Sequence, residues 1–192
     1  VLDIGNVLLR DPISQLLKSL SEEGSRTWEE LRQFYLYQVR DRMWSGDMSE
    51  DEFWGKLCSY AHTKVENELW HQRLLEIMIA LPAIEKMHDW SSKSEIWLLS
   101  NHFAEWPLGR LRECGVMPTI SKVLISSETH FLKPNPKAFD PVTTQLSAST
   151  ILYVDDKIVN VEVATKLGIN GLFADLDGDW IAMVDKWMMT SS

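Results

Sequence analysis

Cysteine, clustered positive charge and long apolar runs are all scarce in this chain. Only two of its 192 residues are cysteine, Cys58 and Cys114. They lie far apart and form no CxxC pair, which gives no support to a disulfide framework or a zinc site and points to a reducing, cytoplasmic setting. The 19 Lys and Arg are outnumbered by 28 Asp and Glu, for a formal net charge of -9. The basic side chains are scattered, so the chain repels nucleic acid and anionic lipid, and neither is an expected partner. No apolar run approaches the roughly 20 residues that a membrane-spanning helix needs. Glycine and proline number nine and seven, and no repeat or low-complexity tract is present. What remains is an ordinary globular mixture, 45% hydrophobic and 24% charged, long enough for one core or for a core with a small lobe.

The pattern changes twice along the chain. Val1-Leu2-Asp3 reads as the end of a buried strand, which implies residues before Val1 in the natural chain; nothing suggests export. From Ile13 to about Lys93 apolar residues recur at helical spacing, as in Trp28, Leu31, Tyr35 and in Leu69, Leu74, Ile77, Met78, Leu81. Thr27 to Glu30 and Ser49 to Glu52 each have the form of a capping box, and Gly24 and Gly46 fit the breaks between helices. After Lys93 short apolar runs alternate with amphipathic stretches, the rhythm of parallel α/β units. Strands are predicted at Glu95 to Leu99, Lys122 to Ile125, Ile151 to Val154 and Gly171 to Ala174. Helices are predicted near Ala104 to Glu113, Pro136 to Leu146, Val159 to Leu167 and Asp179 to Met188. The fold class is therefore α/β, with core residues 1–12 and 94–192 interrupted by a helical insertion, 13–93.

Ligands of open α/β sheets collect at the carboxyl ends of strands, so polar residues directly after apolar runs carry the functional information. Four such elements stand out: Asp3, Ser100-Asn101, Lys133-Pro134 and Asp155-Asp156. Taken singly each is ordinary, a turn residue, a loop dipeptide or a helix cap. Together they supply a nucleophilic carboxylate, a hydroxyl and amide, a cation and an acidic pair, a kit suited to phosphoryl transfer through an aspartyl phosphate. A carboxylate attacking a phosphate dianion needs a hard cation between them, and Mg2+ selects oxygen ligands of this kind.

In order and spacing these elements resemble the four motifs of the haloacid dehalogenase (HAD) superfamily, over nearly the whole chain. The helical insertion resembles that superfamily's cap, and Trp44-Ser-Gly-Asp-Met-Ser-Glu-Asp-Glu-Phe53 is similar to a common cap segment. Asp155-Asp156 followed by Asn160 and Ala164-Thr-Lys-Leu-Gly168 is similar to its fourth motif region. The resemblance implies a doubly wound, largely parallel sheet with Asp3 as nucleophile. It implies Mg2+ held by Asp3, the Gly5 carbonyl, Asp155 and Asp156, with the phosphoryl group held by Ser100, Asn101 and Lys133. The partner so implied is a small phosphorylated metabolite, bound by a monomer or homodimer.

One position departs from the pattern. Phosphatases of this superfamily usually carry a second Asp two residues after the nucleophile, as general acid and base, and here Gly5 stands there. Such catalysis typically contributes about 100-fold to 10,000-fold. Four readings follow: a phosphatase whose proton transfer falls to another group, with His102 and Asp11 nearest in the chain; a phosphatase whose substrate has a good leaving group; a catalytically silent phosphometabolite-binding protein; or a metal-independent dehalogenase, which the acidic pair beside Asp3 disfavours. Arg40 and Arg42 read as solvated helix charges and the nine tryptophans as packing. Asp175-Leu-Asp-Gly-Asp179, which mimics a first motif or a calcium loop, reads as a turn into the last helix.

Overall fold

A computed structural model describes residues 1–175 and 177–190. Its centre is a parallel sheet built around the short rung Val1–Asp3. Leu2 bridges in parallel to Leu98 on one side and to Val154 on the other. Strands β1 (Ile96–Ser100) and β2 (Ile120–Ile125) pair on the first side, and β3 (Leu152–Asp155) and β4 (Asn170–Phe173) on the second. The order is thus β2, β1, the opening rung, β3, β4, all parallel. The chain builds outward one way and then the other, which puts a topological switch point beside Asp3. The four predicted strands are found, each displaced by one or two residues at its ends.

Alternation along β1 decides the layers. Leu98 joins the large core that also holds Leu2, Val154 and the helical insertion, whereas Trp97 and Leu99 face a second core with Phe139, Tyr153, Ala164 and Ile169. Every residue of β1 is buried, as expected of a strand covered on both faces. β4, at the edge, is largely exposed.

Beyond Asp3 the chain turns sharply, with the Ile4 carbonyl accepting from the amides of Leu8 (2.9 Å) and Leu9 (3.0 Å). It then enters α1 (Ile13–Glu23) and α2 (Trp28–Phe34), passes a π-helical turn (Tyr35–Val39) into α3 (Arg40–Trp44), and continues through α4 (Glu50–Ala61) and α5 (Asn67–Ile77). The Thr27 box forms in full, whereas at α4 only half of one forms. Ser49 accepts the Glu52 amide, but the Glu52 carboxylate faces Arg42 and Lys56 instead of returning to the cap. Leu69, read as part of the apolar stripe, points outward, and α5 buries Trp70, Leu74 and Ile77.

The insertion leaves and returns through one neck. Leu9 bridges antiparallel to Ala80, the Arg10 amide donates to the Ile79 carbonyl (2.9 Å), and the Leu81 amide to the Leu8 carbonyl (2.9 Å). The chain is therefore back at the sheet by Leu81, earlier than the boundary expected at Lys93. The 3-10 turn Pro82–Lys86 and α6 (Met87–Ser91) pack on the core: Lys86 and the Trp90 indole both donate to Asp185 of the last helix, at 2.8 and 2.7 Å.

The remaining helices are α7 (Glu105–Glu113), α8 (Ser126–Thr129), α9 (Asp140–Thr143), α10 (Ile158–Lys166) and α11 (Trp180–Thr190). The single helix predicted over Pro136 to Leu146 is instead a 3-10 turn, Pro136–Phe139, followed by the short α9, since Pro141 has no amide to continue an α-helical ladder. Before α11, Gly178 at φ +82 donates its amide to Asp175, the expected turn, although Leu176 lies outside the described residues.

Candidate active site

Parallel strands all present their carboxyl ends at one edge, and there Asp3, Ser100, Lys133, Asp155 and Asp156 meet. Asp3, 4% exposed, is held by one oxygen. Its Oδ1 accepts from the Ser100 hydroxyl (2.5 Å) and the Ile4 amide (2.8 Å) and forms an ion pair with the Lys133 ammonium (3.1 Å). Oδ2 takes no hydrogen bond from the described residues and is left toward the cavity. Burial works against the charge on Asp3, but Lys133, with Lys157, His102 and the Ser100 hydroxyl, outweighs it and holds the carboxyl below its usual range.

Lys133 is a buried cation enclosed by acceptors. Its ammonium meets the Leu99 carbonyl (2.7 Å), Asp155 Oδ2 (2.7 Å) and Asp3 Oδ1. Asn101 fixes the backbone from which it springs, donating to the Lys133 carbonyl (2.8 Å) and accepting its amide (2.9 Å). One N–H of the side-chain amide expected to hold phosphate is thus used in positioning Lys133.

The acidic pair divides its labour. Asp155 is fully buried, and its two oxygens take four donors: Lys133, the Tyr153 hydroxyl, the Lys157 amide (2.7 Å) and the Asn160 amide, which reaches both oxygens (3.0 and 2.9 Å). Four donors match the roughly four lone-pair sites of a carboxylate. Asp155, expected to bind metal, also anchors Lys133. Asp156 is the open member: Oδ2 accepts from Asn6 (2.9 Å), while Oδ1 is buried with no partner. Burial pushes its carboxyl up; the Asn6 bond opposes that, and the charges of Asp3 and Asp155 add to it. One ligand atom from each of Asp3, Asp155 and Asp156 can lie within 4.8 Å of the others. An orphaned carboxylate oxygen at an acidic cluster fits a divalent cation, because burying an unpaired acceptor is costly.

His102 is buried and occupies the space over Gly5. A Cβ added at Gly5 would lie 3.2 Å from the imidazole Cε1 and 3.7 Å from Nε2. The ring therefore stands where a side chain at position 5 would project. Its Nδ1 is 2.8 Å from the Ser100 hydroxyl. Because that hydroxyl gives its one hydrogen to Asp3, Nδ1 must be the donor, which leaves Nε2 as the acceptor of a neutral ring. Burial lowers the His102 pKa, against the pull of Asp3 and Asp11. Asp11, the other proton-transfer candidate, caps α1 through the Ile13 amide (2.9 Å) and also lines the cavity.

Several contributors were not singled out from sequence. Asn6 sits at φ 54, a left-handed conformation Asn tolerates, and links Asp156 to the Asp11 amide (3.0 Å). Tyr153 was legible only as a strand residue, although it shares a face with Asp155 by the two-residue period. Trp44 roofs the site from the insertion, and a knot of Phe53, Trp54, Phe103 and Trp106 lies behind it. The Trp54 and Trp106 indoles both donate to Glu50 (3.0 and 2.9 Å), tying α4 to α7. The cavity at Asp3 is small, about 30 Å3. A hollow of about 490 Å3 at the amino ends of the strands has a mostly apolar and aromatic lining and no buried charge cluster.

No family model matches the sequence, and no curated protein matches it. Solved structures match its fold. A HAD family enzyme from Bacteroides thetaiotaomicron, in complex with magnesium and inorganic phosphate, is 20% identical with a TM-score of 0.78, covering 95% of this chain and 96% of that one. A HAD-like family hydrolase from Porphyromonas gingivalis is 24% identical with a TM-score of 0.76, covering 96% and 94%. A dehalogenase is 16% identical with a TM-score of 0.64, covering 92% and 84%. The chain has the fold of the HAD hydrolases, the doubly wound α/β architecture expected from its sequence.

Proposed function

We propose that this protein is a Mg2+-dependent phosphatase that hydrolyses a small phosphorylated metabolite through an aspartyl phosphate on Asp3. The observation that carries the reading is the convergence of Asp3 and Lys133 with an acidic wall that ends in the unpartnered Asp156 Oδ1. The magnesium and phosphate bound by the Bacteroides neighbour support it.

Asp3, the Gly5 carbonyl and Asp156 are the groups that would hold the cation, with Asp155 behind them. Bound there, Mg2+ would supply the positive charge against which a phosphate dianion can approach a carboxylate. Asp3 Oδ2 attacks phosphorus, the ester P–O bond breaks, and the leaving oxygen departs with the bonding pair. Water then attacks the same phosphorus, the bond to Asp3 breaks, and inorganic phosphate leaves. His102 Nε2 is placed to take the proton from that water, a task the usual second Asp performs. The insertion, as a cap carrying Trp44, closes the site against bulk solvent.

The test is phosphate release from a panel of phosphorylated metabolites, with and without Mg2+, using Asp3→Asn as control. Turnover that requires both the metal and Asp3 is the expected result. Halide release without metal would establish the dehalogenase reading instead. A second reading, a silent phosphometabolite binder, is favoured by one feature, the absence of a carboxylate at Gly5. It predicts tight binding with no turnover.

A further inference from the structure

Three of the groups expected to neutralise a phosphoryl dianion already have partners within the protein. The Lys133 ammonium donates to Leu99 and Asp155 and forms an ion pair with Asp3. Both ends of the Asn101 amide are tied to the Lys133 backbone, and the Ser100 hydroxyl donates to Asp3. An incoming phosphate brings at least two charges, and stabilising the equatorial oxygens in the transition state requires donors that are free to meet them.

The cavity has one cation left. Lys157 lines it together with Asp3, Asp11, Trp44 and Asp156, and makes no ion pair with a described residue. Its backbone is fixed, since its amide donates to Asp155 Oδ1 at 2.7 Å and it forms the N-cap of α10. Its side chain is not: Lys157 is the one exposed residue among the described residues that line the cavity. A site of about 30 Å3 admits a water or two but no phosphoryl group with its leaving group, so some part of its wall must move on binding. The exposed lysine is the part that can move without breaking an internal bond.

We infer that Lys157 is a substrate-binding residue, whose ammonium meets the non-bridging oxygens of the phosphoryl group over Asp3. The inference rests on the phosphatase reading above. The choice of lysine suits the place, because an ammonium on a flexible stem can follow an anion in and out.

The experiment is calorimetric titration of inorganic phosphate into the full chain in the presence of Mg2+, for the wild type, Lys157→Met and Lys157→Arg. A separate Mg2+ titration is run on each without phosphate. One charge-assisted contact corresponds to about tenfold to hundredfold in affinity. Lys157→Met is expected to weaken phosphate binding by that factor, and Lys157→Arg to restore a good part of it. Mg2+ affinity in Lys157→Met is expected to stay level or rise, because a positive charge has been removed from the acidic wall. Equal phosphate binding by wild type and Lys157→Met overturns the inference while leaving the phosphatase reading in place. A loss of Mg2+ binding in Lys157→Met also overturns it, because the lysine would then be a support for the acidic wall. A wild type that neither binds phosphate nor releases it from any metabolite overturns both.

Discussion

Replacing Lys133 with methionine removes the cation from between two buried carboxylates while keeping most of the side-chain volume. The side chains of Lys133, Asp3 and Asp155 are 1%, 6% and 0% exposed, so water cannot replace the lost partner. Deleting one member of a buried ion pair costs about 3–5 kcal/mol, because the remaining charge is left uncompensated. At roughly 2–4 °C per kcal/mol for a chain of this size, the melting temperature should fall by about 6–20 °C. The pH dependence gives the claim a second, independent check. Asp3 has its pKa held below the ordinary value, so its contribution to wild-type stability is full above that value and is lost as the pH falls through the lower folded pKa. Without Lys133 the Asp3 carboxyl binds a proton more readily, and the variant's deficit should be largest near neutrality and shrink on acidification toward pH 4. Urea unfolding of both proteins from pH 4 to 8 in the absence of Mg2+ measures this. Repeating the series with Mg2+ should recover part of the loss, because a divalent cation takes over the compensation. A deficit below about 1 kcal/mol, or one that grows as the pH falls, would refute the assignment of Lys133 as the counter-ion of the site.

Two further changes probe the site and its roof. Gly5→Asp restores the carboxylate common at that position but drives it against His102, 3.2 Å from the added Cβ; alone it should lower stability by about 1–3 kcal/mol without raising phosphate release, and Gly5→Asp with His102→Ala should relieve the melting-temperature loss. Gly46→Ala should cost at least about 2 kcal/mol in urea unfolding, since Gly46 lies at φ +80 and its added Cβ would come 2.2 Å from the Ser127 carbonyl oxygen, where the insertion meets the core.

The chain's periodicities announced most of the architecture. Short apolar runs between amphipathic stretches marked the strands to within two residues, because burial on both faces demands uninterrupted apolar side chains. The helical insertion was legible from its spacing, and Thr27 and Gly24 marked its joints. Where it ends was not: the apolar stripe runs on through Trp90 regardless of partner, and only the neck between Leu8–Arg10 and Ile79–Leu81 shows that the chain has already rejoined the sheet. The outward turn of Leu69 has the same cause, since periodicity reports an apolar stripe and not the neighbour that covers it.

The primary structure alone determined which chemical groups stand at the strand ends: Asp3, Ser100-Asn101, Lys133 and Asp155-Asp156 follow apolar runs, and a parallel sheet necessarily delivers them to one edge. Tertiary structure alone decided which of them are free. The Lys133 ammonium is bound to Asp155 and Asn101 to the Lys133 backbone, while among the described residues Asp156 Oδ1 and Asp3 Oδ2 take no hydrogen bond and Lys157 makes no ion pair, and His102 covers Gly5. Hydrogen-bond capacity is consumed pairwise between residues up to 150 positions apart, as Asn6 and Asp156 are, and no local pattern records how those partners are shared out.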